Sequence, residues 1–124
     1  MKHKKAGLGI LNTPMKQVCG PVDKHAVSRL KIGAEQGGDL TELNLSKRDF
    51  DLLFSSGWVR AVNERLGVLI DDYEDEHIED REKLLDLVTI SEIFSENTGK
   101  TVFRKLAELA AQAVNRKTSF HLYF

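Results

Sequence analysis

The chain has 124 residues, 41% hydrophobic and 30% charged, with a formal net charge of −1. These values bound one ordinary globular domain and exclude a disordered chain. No apolar run approaches the roughly 20 residues of a membrane span, and the single cysteine, Cys19, excludes an internal disulfide, so a cytoplasmic protein without a membrane partner is expected.

The N-terminus, Met1 to Leu11, starts basic. Its apolar segment is short, rich in glycine and cut off by Asn12-Thr13-Pro14, so it does not read as a secretory leader. Gly7, Gly9, Pro14, Gly20 and Pro21 punctuate residues 1–25, which read as a loose segment ahead of one domain over 26–124. Ser28, Leu30, Ile32 and Ala34 alternate with Arg29, Lys31 and Gly33, the period of a half-buried strand. Gly37-Gly38 then turns the chain, and Thr41, Leu43 and Leu45 continue a second strand. A β-hairpin over 26–45 is expected.

Ser46 is placed to cap a helix, with Asp49 three residues on as in a capping box. Phe50, Leu53 and Phe54 form its apolar stripe. After Gly57, the residues Trp58, Val59, Val62 and Leu66 give a second short helix closed by Gly67. Val68-Leu69-Ile70 suits a short buried strand or a lead-in to the next helix. Residues 79–96 read as a helix with a broad apolar face of Leu84, Leu85, Leu87, Val88, Ile93 and Phe94. A strongly amphipathic helix runs next, from Thr101 to Asn115, carrying Val102, Leu106, Leu109, Ala110 and Ala113 on one face. The last segment, Phe120 to Phe124, alternates and is aromatic, so it belongs inside a sheet. The expected fold is a single α+β domain. Its small antiparallel or mixed sheet, an N-terminal hairpin plus the C-terminal strand, is covered by about four helices.

Charge is unevenly spread. Residues 71–96 carry eleven Asp/Glu and two Lys/Arg, while residues 1–35 carry two and seven. Within 71–82, eight of twelve residues are carboxylates. Such a cluster repels itself unless solvent or a partner offsets it. A calcium loop fails on spacing, because Glu76 stands where the EF-hand glycine belongs. A magnesium site needs carboxylates converging from different elements, and these are consecutive. Cys19 with His25 or His77 is a conceivable thiol–imidazole pair, yet no nucleophile motif surrounds it, and the four histidines lack zinc-ligand spacing. No catalytic residue, metal ligand or cofactor site is therefore assigned. Lys2, Lys4 and Lys5, with Arg104, Lys105, Arg116 and Lys117, could touch phosphates without reading a sequence, so no specific nucleic-acid partner is expected.

Two readings remain: a solvated loop with a helix start rich in Asp/Glu, where the dipole favours negative charge, and a protein-facing acidic patch. Carboxylates so spaced can imitate phosphates and enter a basic cleft, with Tyr73 and His77 as aromatic anchors. The hairpin, the Asn44-Leu45-Ser46 helix start, the run Val62 to Glu76, the helix pair and the aromatic last strand resemble small bacterial immunity proteins of polymorphic or contact-dependent toxin systems. The likeness spans roughly residues 27–124. It implies a non-enzymatic inhibitor that neutralises a cognate toxin domain. Asp71, Asp72, Tyr73, Glu74, Asp75, Glu76, His77 and Glu79 would be its partner-binding residues. The alternatives are a small metal-dependent hydrolase or nuclease using the acidic cluster, and a structural protein that self-associates through Phe120–Phe124 into a homo-oligomer.

Overall fold

The computed structural model describes residues 16–124. Most of the expected loose segment and its basic lysines lie outside them. The described chain is an α+β domain. It runs β1 (Lys16–Pro21), α1 (Lys24–Lys31), β2 (Leu40–Leu45), α2 (Lys47–Ser55), α3 (Trp58–Leu66), β3 (Asp75–Ile78), α4 (Arg81–Thr98), α5 (Thr101–Arg116) and β4 (Phe120–Tyr123). The strands form one sheet in the order β2-β1-β4-β3, and every neighbouring pair is antiparallel.

Two expectations are overturned at the N-terminal side. Lys16–Pro21, read as loose, is an inner strand that pairs with β2 on one side and β4 on the other. Its glycine and proline disguise it. Gly20 is there because α5 packs close: an added Cβ would stand 3.3 Å from the Leu109 side chain and 3.3 Å from the Ser119 carbonyl oxygen. The segment read as the first hairpin strand is helix α1. Asp23 caps it, accepting from the Ala26 amide at 2.8 Å, and Ala26 is buried. The strand-like alternation over 28–34 is accidental, since Ile32 stands 78% exposed. The connection to β2 is organised by Asp39. Its buried carboxylate accepts from Arg29 Nε and Nη2 at 2.8 and 2.7 Å and from the Gln36 amide at 2.8 Å. That fork holds the Asp39 carboxyl down to about 2.

Helices α2 to α5 and strands β2 and β4 agree closely with the sequence pattern, whereas β3 is unexpected, and Leu85 and Ile93 of α4 are exposed. Ser46 caps α2, accepting from the Asp49 amide at 3.1 Å. Gly67 and Gly99 end α3 and α4 in the left-handed conformation, with φ of 70° at both. The helical hairpin α4–α5 supplies Leu84, Leu87, Val102, Phe103, Leu106, Leu109, Ala110 and Ala113 to the core. That core also holds Val18, Phe120 and Leu122 of the sheet and Trp58 and Val62 of α3. Pleat alternation sends the other side chains of each strand to the opposite face. Register there aligns Glu42, Cys19, His121 and His77 in one row and Asn44, Gln17, Tyr123 and Asp75 in the next.

β4 lies between β1 and β3, so the aromatic C-terminal strand has no free edge. Pairing of Phe120–Phe124 with a second copy would have to displace one of these neighbours, and among the described residues the open edges belong to β2 and β3.

The deepest polar contact is that of Trp58, fully buried, whose indole N–H donates to buried Ser91 Oγ at 3.1 Å. Ser91→Ala leaves that donor unmet and is expected to cost about 1–3 kcal/mol in denaturant unfolding. Trp58→Phe removes the donor and some packing. The double variant is expected to lose less than the sum of the two, and strict additivity would show that the bond contributes nothing.

Candidate functional site

The acidic run is neither one loop nor simply the start of a helix. Residues 71–74 are loop, 75–78 form the edge strand β3, and Asp80 caps α4, accepting from the Lys83 amide at 3.0 Å. The sequence concealed β3 because its four residues hold a single aliphatic, Ile78. The strand exists because β4 offers it an edge, with Ile78 set against Phe120.

The loop is tied at several points. Asn63 of α3 clamps Ile70: its Nδ2 donates to the Ile70 carbonyl at 3.1 Å, and its Oδ1 accepts from the Ile70 amide at 2.7 Å. The Leu69 amide donates to Glu76 Oε2 at 3.3 Å. The Tyr73 amide donates to the Phe124 carbonyl oxygen at 3.1 Å. Lys16 closes the knot from beneath. Its ammonium donates to Asp72 Oδ1 at 3.0 Å and to the Phe124 carbonyl oxygen. It also lies 4.2 Å from the Tyr73 ring centroid and 5.0 Å from that of Phe50. The Lys16 side chain is only 17% exposed, so these contacts work in a partly desolvated place.

The expected partner-binding residues consequently divide. Asp72 and Glu76 are half-buried and engaged inside the fold. Asp71, Glu74, Asp75 and Glu79 are exposed. Asp71 accepts from the neighbouring Asp72 amide at 2.8 Å, and Glu79 lies 3.4 Å from His77 Nε2. Tyr73 stands 83% exposed at a φ of 65°, left-handed backbone that costs an L-residue roughly 1–2 kcal/mol. Leu69, in the run Val68-Leu69-Ile70 that suits a short buried strand or a helix lead-in, is 79% exposed four residues before it. The outcome is a fixed rim of carboxylates carrying an outward aromatic and an outward aliphatic side chain.

Next to this rim runs an open groove of about 470 Å³, lined by Phe50, Phe54, Asp51, Ser55, Asp71 and Asp72. Sequence reasoning assigned Phe50 and Phe54 to the core alone. Phe54 is only half-buried, and nothing local in the sequence signalled that α2 would lie against the acidic loop. Lys16 and Asn63 were likewise invisible, because each acts across the fold.

On the outer face of the sheet, His121 is the middle of a ring stack. Its centroid lies 5.6 Å from His77 and 6.0 Å from Tyr123. Burial, then the neighbouring His77, holds its imidazole down to about 4, and burial pushes the Tyr123 phenol up. Register sets Cys19 opposite His121, not His25 or His77. Among the described residues, no three His, Cys, Asp or Glu side chains are grouped so as to share a metal ion. The chain matches no protein-family model, no curated protein and no solved structure. No helix among the described residues is long and apolar enough to cross a membrane.

Lys16→Met keeps the aliphatic stem and removes the charge. It is expected to destabilise the domain by about 1–3 kcal/mol, the range for a charge-assisted bond, and to speed hydrogen exchange at the Tyr73 amide. Unchanged exchange at that amide would show that Lys16 does not hold the loop.

Proposed function

We propose that this protein is a binding protein of the immunity kind, which neutralises a cognate bacterial toxin domain by presenting the acidic rim to a basic cleft. One observation carries the reading. The exposed Asp71, Tyr73, Glu74 and Leu69 lie on a loop fixed in advance by Lys16, Asn63 and the Phe124 carbonyl, and the exposed Asp75 and Glu79 follow on β3 and just beyond it. A surface ordered before contact loses little conformational freedom on binding, and that saving appears as affinity. Tyr73 and Leu69 would fill the centre of the contact, with carboxylates around them. The left-handed backbone at Tyr73 supports a binding role, because strain of this sort concentrates where a side chain must be aimed. The groove on Phe50 and Phe54, with Asp51 and Asp71 beside it, suits one arginine or lysine of the partner. Lys16 already rests on Phe50 and Asp72 from the inner side, so the same chemistry holds a cation within the fold.

Asp72 and Glu76 have structural duties, so the test falls on the others. A protein recovered from the native cell with the wild-type chain is titrated against a variant carrying Asp71→Lys, Glu74→Lys, Asp75→Lys and Glu79→Lys. Association is expected to slow by about tenfold or more at low salt, and the difference should shrink as salt rises. The same charge change at exposed Glu42, Glu64, Glu92 and Glu96 serves as control. Equal losses in both variants would mean a general charge effect and no docking site. Tyr73→Asn, which suits the backbone there, is expected to leave stability within about 1 kcal/mol while weakening the complex and the protection of toxin-challenged cells.

A further inference from the structure

Among the described residues β3 is joined to the sheet along one side, by the register pairs from Asp75↔Tyr123 to Ile78↔Phe120. On the outer face its His77 lies directly opposite His121, with the two rings stacked at an interplanar angle of 16°. His121 is stacked in turn on Tyr123, at 19°. Both ring nitrogens of His121 are occupied: Nε2 lies 2.8 Å from Ser119 Oγ, and Nδ1 lies 3.5 Å from the Tyr123 hydroxyl. A neutral imidazole, with one donor and one acceptor nitrogen, suits two hydroxyl neighbours. The charged and titratable groups around it come from every packed element. Lys31 of α1 and His77 of β3 oppose a positive charge on His121, and Glu79 favours one. Cys19 of β1 is its register partner, and Asp75 and Glu35 bear on the adjoining Tyr123.

We propose that the His77–His121 pair is a proton-operated latch: the neutral rings hold the acidic edge strand β3 on β4, and protonation releases β3 while the helices remain folded. It is independent of the toxin-binding reading, since it concerns the sheet alone. Burial, followed by the neighbouring His77, lowers His121 from the ordinary imidazole value of 6.5 to about 4. The closed sheet therefore prefers the neutral ring. The latch is at full strength above about pH 6.5 and weakens as pH falls toward about 4. At about pH 5 an exposed imidazole is largely protonated and the stacked one is not, which favours the open strand by up to about 30-fold over neutral conditions, the full factor requiring that release of β3 expose His121 completely.

Amide hydrogen exchange on the full chain tests this, with rates corrected for the intrinsic effect of pH. The amides of β3 are expected to open more readily than those of Leu106 and Ala110 in α5, and severalfold to about 30-fold more at about pH 5 than at about pH 7.5. His121→Phe keeps a ring in the stack but takes up no proton, so the pH response should vanish. His77→Gln, at an exposed position that does not threaten folding, should diminish it. The proposal is overturned if β3 exchanges only together with α5 at every pH, or if His121→Phe keeps the full response.

Discussion

The organisation of the acidic end rests on the ammonium of Lys16. It stands at the start of β1, the strand that joins β2 to β4. From there a single side chain reaches Asp72 in the loop, the Phe124 carbonyl at the end of the sheet and the Phe50 ring of α2. A carboxylate-rich loop left alone would swell by self-repulsion. One largely buried cation beneath it turns that repulsion into a defined shape, because the neutralising charge acts from inside where screening is weak.

A charged edge strand has a simpler purpose than recognition. Carboxylates along β3 discourage edge-to-edge pairing with another sheet, and natural sheets commonly use this device. That purpose needs charge on the strand and nothing more. It does not account for the Asn63 clamp on Ile70, the left-handed Tyr73 or the exposure of Leu69, all of which lie in the loop before the strand. Protection of an edge and presentation of a surface are compatible, and the loop is where they separate.

The sequence disclosed the helices well and the sheet poorly, for a physical reason. A helix is set by neighbours three and four residues apart, so Ser46, Gly67, Gly99 and the stripe from Val102 to Ala113 marked their elements locally. β1 and β3 are set by partners remote in sequence. β1 carries Gly20 because α5 crosses it, and β3 has hardly any apolar residues because it needs only one buried contact. Over residues as few as those of α1, alternation and helical spacing cannot be told apart, so the segment reads as a strand. Asp23, its cap, was the overlooked signal. The candidate surface was legible as charge alone. Its shape depends on Lys16, Asn63 and Phe54, each brought in by the fold.

Sorting the carboxylates by duty gives the acidic run its meaning. Asp72 neutralises Lys16, Glu76 accepts from the Leu69 amide, and Asp80 caps α4. Glu82 lies in the first turn of α4, where the helix dipole favours it. Asp71, Glu74, Asp75 and Glu79 remain, exposed on the loop, on the outer side of β3 and just beyond it. Asp71 accepts from the Asp72 amide and Glu79 lies against His77, while Glu74 and Asp75 are turned to solvent, and all four add repulsion to their neighbours. Charge turned outward, on and just beyond a loop that the fold holds still, is the part of the acidic run that the proposal assigns to a partner. That is why the proposed partner is defined by basic chemistry and a cleft, and why Tyr73, aimed outward at a cost in backbone strain, belongs to the same surface.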